Sequence, residues 1–290
     1  RDSYSGSINL TYRKNKVNIN NITYIRGNKT TESQYGLFST WVNTNPYYEK
    51  NWENPFLEIS RKSNSSVDFY ISNPLYDALL PQYNKSKNLE VQNNFNANYD
   101  ITSYLRANAA LQMTKGTTEG KIYKSPEMSD FFETPTLRKG RYTDSRNNNF
   151  SYQGNFMLTF YKTFAQKHQL NANWRNTIAE NKNDSYQTVA EGFPAGNTGN
   201  PRFAYSYLLD GAPLASSSTY RSVNTTLSAN YSYDNRYLFD VVYRLDGSTA
   251  YGSNKQFSPY YAVGLGWNIH KEAFAKKMPW INSLRLSEFC

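Results

Sequence analysis

Apolar and polar residues alternate one for one through most of this 290-residue chain, and that period leaves few folds open. In SVNTTLSANY (222–231), Val223, Thr225, Leu227, Ala229 and Tyr231 share one side, opposite Ser222, Asn224, Thr226, Ser228 and Asn230. Residues 89–99 set Leu89, Val91, Phe95, Ala97 and Tyr99 against Glu90, Gln92, Asn94, Asn96 and Asn98. The same rhythm runs through 104–113, 168–176 and 237–245. A two-residue period means strands with one apolar and one polar face. Charge follows the period: Arg106, Arg175, Asp240 and Arg244 all fall on the Asn/Ser/Thr side. At mid-bilayer a basic residue on the lipid side costs about 2–4 kcal/mol, so this sorting is what a barrel with a wet interior requires. A soluble sandwich also alternates, and alternation alone does not separate the two.

Connection lengths separate them. The period predicts strands over roughly 3–13, 16–26, 88–99, 103–114, 148–161, 167–178, 220–233, 236–246 and 258–269, with a tenth from about 282. Short links at 14–15, 100–102, 162–166 and 234–235, and a longer one at 270–281, alternate with long ones at 27–87, 115–147, 179–219 and 247–257. Tight turns at one rim and long loops at the other describe an outer-membrane barrel, short turns periplasmic. Nine of the prolines fall in the long links, where no ladder needs their missing N–H. Mean hydropathy is −0.77, and no apolar run is long enough for a membrane helix. A barrel strand needs only about 9–11 residues, half of them free to be polar. The 26 Tyr, 16 Phe and 5 Trp suit the aromatic girdles of such a wall. The expected fold is all-β: an antiparallel up-and-down transmembrane barrel, here an arc of nine or ten strands. Both ends read as cuts through a larger protein.

Net charge is +9, but Lys and Arg are scattered with no run longer than two, which argues against nucleic acid as a partner. The single cysteine, Cys290, allows no disulfide within the chain. His168 and His270 sit beside turns and form no metal constellation, and DGSTAYGSN (246–254) lacks the bidentate Glu of a calcium loop. Its glycines read instead as a tight outer turn. No hydrolase or phosphate-loop motif occurs, so no enzymatic activity, metal or cofactor is expected. The loop 35–59 gathers Tyr35, Trp41, Tyr47, Tyr48, Trp52 and Phe56 among Asn and Glu. Flat rings beside amides suit a sugar or a peptide, or contact with a partner; they equally suit packing of the loop onto its neighbours.

The run NRYLFDVVYRLDGSTAYGSNKQFSPYYAVGLGWNI (235–269), followed by EAF (272–274) and WINSLRL (280–286), resembles the SusC/RagA family of TonB-dependent outer-membrane transporters. The similarity is carried by Arg244, Asp246, Gly247, Ser248, Tyr251, Gly252, Gly266, Trp267, Ile269, Phe274, Trp280, Asn282, Leu284 and Leu286. NFMLTFYKTFAQKHQLNANW (155–174) and NNFNANYDITSYLRAN (93–108) are similar to the family's hairpins, NPLYD (73–77) and NPYYE (45–49) to its outer-loop segments. Thr249, Ala250 and Tyr251 depart from the family's more usual Ser, Arg and Phe, and the closing LSEFC departs from its usual continuation.

The resemblance implies that residues 1–290 are part of a receptor barrel of about 22 strands, without plug, N-terminal module or later strands. It implies an importer of oligosaccharides or peptides in the outer membrane of a Bacteroidetes-type bacterium. Its partners would be outer-membrane lipid, a SusD-like lipoprotein and, through a missing N-terminal region, TonB–ExbB–ExbD. A siderophore or cobalamin receptor, or a surface glycan-binding β-protein without transport, are the alternatives. Cargo contacts would lie on the outer loops and on the polar side, with Arg106, Arg175, Asp240 and Arg244. Asp246, Gly247, Ser248, Gly252, Gly266, Trp267 and Trp280 would hold the wall in shape.

Overall fold

A computed structural model describes residues 1–36, 41–42, 44–61, 68–209, 211–252, 255–275, 280 and 282–289. The alternating segments form strands β1 (Asp2–Lys14), β2 (Val17–Thr31), β5 (Tyr83–Thr102), β6 (Leu105–Lys124), β7 (Arg141–Phe164), β8 (His168–Glu191), β10 (Leu214–Tyr233), β11 (Tyr237–Ser248), β12 (Phe257–Asn268) and β13 (Arg285–Phe289). They pair antiparallel, each with its neighbour in that order, in one sheet. The links between them carry a hairpin, β3 (Phe56–Arg61) with β4 (Asp68–Ser72), a helix α1 (Pro74–Leu79), and β9 (Ser206–Tyr207) on the edge of β8. Among the described residues no helix is long and apolar enough to cross a membrane, which says nothing of crossing by strands.

Register fixes which side chains share a face. Ala107, Leu158, Trp174, Leu227, Tyr243 and Tyr261 pair in succession from β6 to β12. One residue along, Arg106, Thr159, Asn173, Ser228, Val242 and Ala262 form the row on the opposite face. Among the described residues the apolar face has no second layer over it: Leu227 is 47% exposed and Leu265 59%. In water such a face would aggregate; against hydrocarbon it is the stable arrangement. On β8 the apolar-face positions between the turn and the first charge are Leu170, Ala172, Trp174, Asn176 and Ile178, before Glu180. At ~3.3 Å per residue and a tilt of ~40° these cover about 20 Å of height, close to the ~25 Å band of an outer-membrane barrel.

Two details of the wall differ from the alternation read in the sequence. Asn93 falls on the apolar face, where its Nδ2 donates to Asn21 Oδ1 and to Thr23 Oγ1, each at 2.8 Å. Those mutual bonds are what allow three polar side chains to share that face. The long strands also continue beyond the predicted ends, β8 to Glu191 rather than 178 and β7 from Arg141 rather than 148. There both faces are polar, with Arg221 paired to Glu180 at 2.6 Å and Lys182 to Asp184 at 3.2 Å on the face that is apolar lower down. Outside the bilayer the ladder continues, but nothing demands alternation.

The short turns after β1, β7 and β10 contain left-handed residues, Asn15, Ala165 with Gln166, and Asp234 with Asn235, the backbone that tight hairpins favour. At the opposite rim the main apolar core of the described residues forms where the strand-end rings Tyr123, Tyr142 and Tyr83 pack with Phe193 from a long link. The Tyr123 hydroxyl donates to the carbonyl of Asn197 at 2.8 Å and that of Tyr83 to Gly199 at 3.1 Å, so each buried ring keeps its polar end satisfied.

Candidate outer-loop cavity and polar wall

The polar face is a hydrogen-bonded surface. Asn20 donates to Asn9 (3.0 Å) and Thr11 (2.9 Å), Asn98 to Asn96 (2.8 Å), Asn108 to Asn98 (2.9 Å) and Asn230 to Asp240 (2.7 Å). All four charged residues singled out in the sequence lie on it, but they do not converge. Arg106 pairs with Asp100 at 2.6 Å near the short-turn rim, and Arg244 with Asp246 at 2.6 Å toward the other. Among the described residues, Arg175 reaches the Met157 sulfur, at 3.6 Å. The register of β1, β2 and β5 adds a feature that alternation did not single out: Arg26 and Glu90, directly paired and 3.4 Å apart, line a recess of about 390 Å³ with Ser3, Ser5, Asn28 and Asn88.

Beyond the long-loop rim, the structure divides the six rings of 35–59. Trp41, Tyr48 and Trp52 line one cavity of about 450 Å³ together with Asn45, Glu49, Lys50 and Asn73. Tyr35 stands behind it, its ring edge-on to Trp41 at 6.2 Å and its carbonyl accepting from Trp41 Nε1 at 2.6 Å. Tyr47 projects into solvent, 93% exposed. Phe56 packs inward against Phe132 (4.8 Å) and Tyr70 (5.1 Å), so for this ring packing is the observed role. The Tyr48 hydroxyl donates to Glu58 at 2.7 Å, and this bond to a carboxylate holds the phenol protonated above its usual range.

Asn73 builds the cavity's floor. Fully buried, it donates through Nδ2 to the carbonyls of Asn51 (2.5 Å) and Asn54 (2.7 Å), while Oδ1 caps α1 by accepting from the Leu75 N–H at 3.1 Å. One amide thus ties the aromatic loop to the helix. An Asn directly before Pro is a helix-start signature, and it is the signal by which this residue could have been found in the sequence. The helix is tied onward through Asp77, whose carboxylate accepts from the Ser129 N–H at 2.9 Å and the Ser129 hydroxyl at 2.6 Å. Burial pushes the Asp77 carboxyl above its ordinary range, and the two Ser129 bonds pull it partly back. Asn73→Ala removes a cap worth about 1 kcal/mol and two further bonds worth about 1 kcal/mol each. Faster hydrogen exchange at 51–54 and 74–79, with the β5–β8 ladder unchanged, is the expected result.

No protein-family model matches the chain. A TonB-dependent receptor of Formosa agariphila is 27% identical over 217 residues, which is 68% of this chain and 19% of that protein. The TonB-dependent receptor SusC of Bacteroides thetaiotaomicron is 34% identical over 79 residues, 26% of this chain and 8% of that one. The solved RagAB peptide transporter superposes with a TM-score of 0.70 at 18% identity, over 99% of this chain and 32% of that chain, a likeness of fold. The chain is similar in sequence to TonB-dependent receptors, SusC among them, and in fold to the RagAB transporter. It spans about a fifth of the length of the Formosa relative it matches.

The residues that carry the resemblance take the following places in the wall. The Phe257 ring lies over Gly247, where a Cβ would sit 2.5 Å from the ring. Gly247 therefore serves close packing of β11 with the neighbouring strands rather than the tight turn read from the sequence, and Gly252 has open space around it and no left-handed backbone. At Gly266 a Cβ would meet Leu238 at 3.1 Å. Ser248 Oγ accepts from the Ala250 N–H at 3.0 Å. Trp267 Nε1 (3.1 Å) and the Tyr237 hydroxyl (2.9 Å) both donate to Glu272, holding that carboxyl below its ordinary range in the short-turn rim. Trp280 is 78% exposed, and its neighbours 276–279 and 281, like Cys290, lie outside the described residues. Among the described residues no cluster of His, Cys, Asp and Glu could hold a metal ion.

Proposed function

We propose that residues 1–290 are part of the barrel wall of an outer-membrane importer that takes up oligosaccharides or peptides together with a SusD-like lipoprotein and is energised through TonB–ExbB–ExbD. One observation carries the reading. An apolar exposed face and a hydrogen-bonded polar face occupy opposite sides of one sheet, with an aromatic, amide-lined cavity at the long-loop rim. Such a wall separates lipid from a wet path, and the cavity stands where cargo or the lipoprotein would first touch. The receptors it resembles support the transport class, and the Formosa and Bacteroides relatives support a Bacteroidetes-type outer membrane. Stacking and amide bonding serve sugar rings and peptide planes alike, and both fit Trp41, Tyr48 and Trp52 beside Asn45. Binding would be followed by plug displacement; no covalent step is needed.

The test uses the full-length receptor in its own membrane. Removing two stacking rings, Trp41→Ala with Trp52→Ala, is expected to weaken capture of labelled oligosaccharide or peptide about 10-fold, on the order of 1.4 kcal/mol. Uptake by the unaltered receptor should stop when a protonophore collapses the energy supply. Uptake that persists without that supply would sink the transport reading. Unchanged capture by the double variant would remove the cavity from it and leave the polar wall as the remaining contact surface.

A further inference from the structure

The lipid-facing side of the sheet is not uniformly filled. Ala172 and Ala229 pair directly across β8 and β10, flanked by the Trp174–Leu227 pair on the next row and by Phe160 on β7. Two methyl groups set among large side chains leave a trough of about 390 Å³, lined almost wholly by carbon. At its short-turn end stands a cation. Lys162, on the same face as Phe160 and paired to Leu170, holds its ammonium 4.6 Å from the Tyr104 ring and 5.2 Å from that of Phe164. Tyr104 in turn meets Phe160 edge-on at 5.7 Å, so the ammonium, the two rings and the trough form one continuous surface.

We propose that this surface is a binding site for one anionic phospholipid, an acyl chain in the Ala172–Ala229 trough and the headgroup phosphate on Lys162. The argument is one of charge and shape. Among the described residues no carboxylate pairs with Lys162; the acid at this end of the face, Glu272, is held three strands away by Tyr237 and Trp267 and is paired with Arg236. Lys167 in the adjoining turn adds a second positive charge. A lysine at the edge of the hydrocarbon carries its ammonium to the headgroup layer, and a fixed position between two rings gives it a preferred partner there. The short-turn rim faces the periplasm in such barrels, so the occupant comes from the inner leaflet. The site rests on the reading of this face as lipid-facing, and Trp174 in the trough lets the two be tested apart.

The full-length receptor is reconstituted in phosphatidylcholine vesicles containing a minor fraction of brominated phosphatidylglycerol or, separately, brominated phosphatidylcholine. The Trp174 signal is the difference between the unaltered protein and Trp174→Phe. Phosphatidylglycerol is expected to quench it about 3–5-fold more effectively at equal mole fraction, the preference one lysine near a membrane surface supplies. Lys162→Gln should bring the two lipids level and Lys162→Arg should retain the preference. Ala229→Phe, which fills the trough, should lower quenching by the anionic lipid. Equal quenching in the unaltered receptor, or a preference that survives Lys162→Gln, overturns the proposal while leaving the face in lipid. A Trp174 that neither lipid quenches overturns the assignment of the face as well.

Discussion

Leu227→Arg is expected to destabilise the inserted barrel by about 2–4 kcal/mol, whereas Ser228→Arg, one residue along, is expected to change it by less than about 1 kcal/mol. Leu227 is the middle of five apolar-face positions on β10 that run from Tyr231 to Val223, and its cross-strand partners are Trp174 and Tyr243. A guanidinium there has no counter-charge and must be stretched to an interface. Ser228 lies between Asn173 and Val242 on the face that already holds Arg106, Arg175 and Arg244. Denaturant titration of the full-length receptor folded into lipid vesicles reads both. Equal costs at the two positions would mean that the faces do not see different solvents, and the wall would then belong to some other kind of sheet.

Arg138→Ala is expected to cost about 3 kcal/mol of local stability in the outer cap. Glu191, 2% exposed, accepts from Arg138 Nε at 2.8 Å and from the Leu209 N–H at 3.1 Å, fixing the 192–209 link against the 136–138 turn. Deleting one partner of a buried pair leaves a charge that cannot be hydrated, a loss of about 3–5 kcal/mol for fully buried pairs. Arg138 keeps a third of its side chain exposed, which places the value at the lower end. Hydrogen exchange at 191–209 should accelerate roughly 100-fold, while amides of the β7–β8 ladder below the rim hold their protection. Adding Glu191→Gln to Arg138→Ala should recover part of the loss, because the neutral amide still accepts from Leu209 and no longer carries a charge. If the double variant is no better than the single one, the pair acts by packing rather than by charge.

How far the sequence could be read differs from place to place along the chain. The lower halves of the strands were legible because lipid on one side and water on the other force a choice at every residue. Thus parity alone put Arg106, Arg175, Asp240 and Arg244 together on one face of the sheet, as the register does. The upper extensions of β7 and β8 were not, since Glu180, Lys182 and Asp184 sit where water lies on both sides and the period carries no information. Lys162 shows the same limit at the other rim: read as part of a turn, it is the last lipid-side position before Phe164. The six rings of 35–59 are adjacent in sequence, but composition could not tell Phe56, packed on Phe132 and Tyr70, from Trp41 and Trp52, which line a cavity.

By itself the sequence determined the two-faced sheet, its up-and-down order, the alternation of short and long rims and the resemblance to one type of receptor. Each of these follows from local rules, a two-residue period, a turn or a contiguous signature. Only the tertiary structure decided which rings open onto a cavity, that Asn73 and Glu191 hold the cap together, that Phe257 rather than a turn requires Gly247, and that Lys162 stands at the end of an apolar trough. Those depend on which residues meet across strands and loops far apart in the chain, and a meeting of that kind leaves no period in the sequence to read.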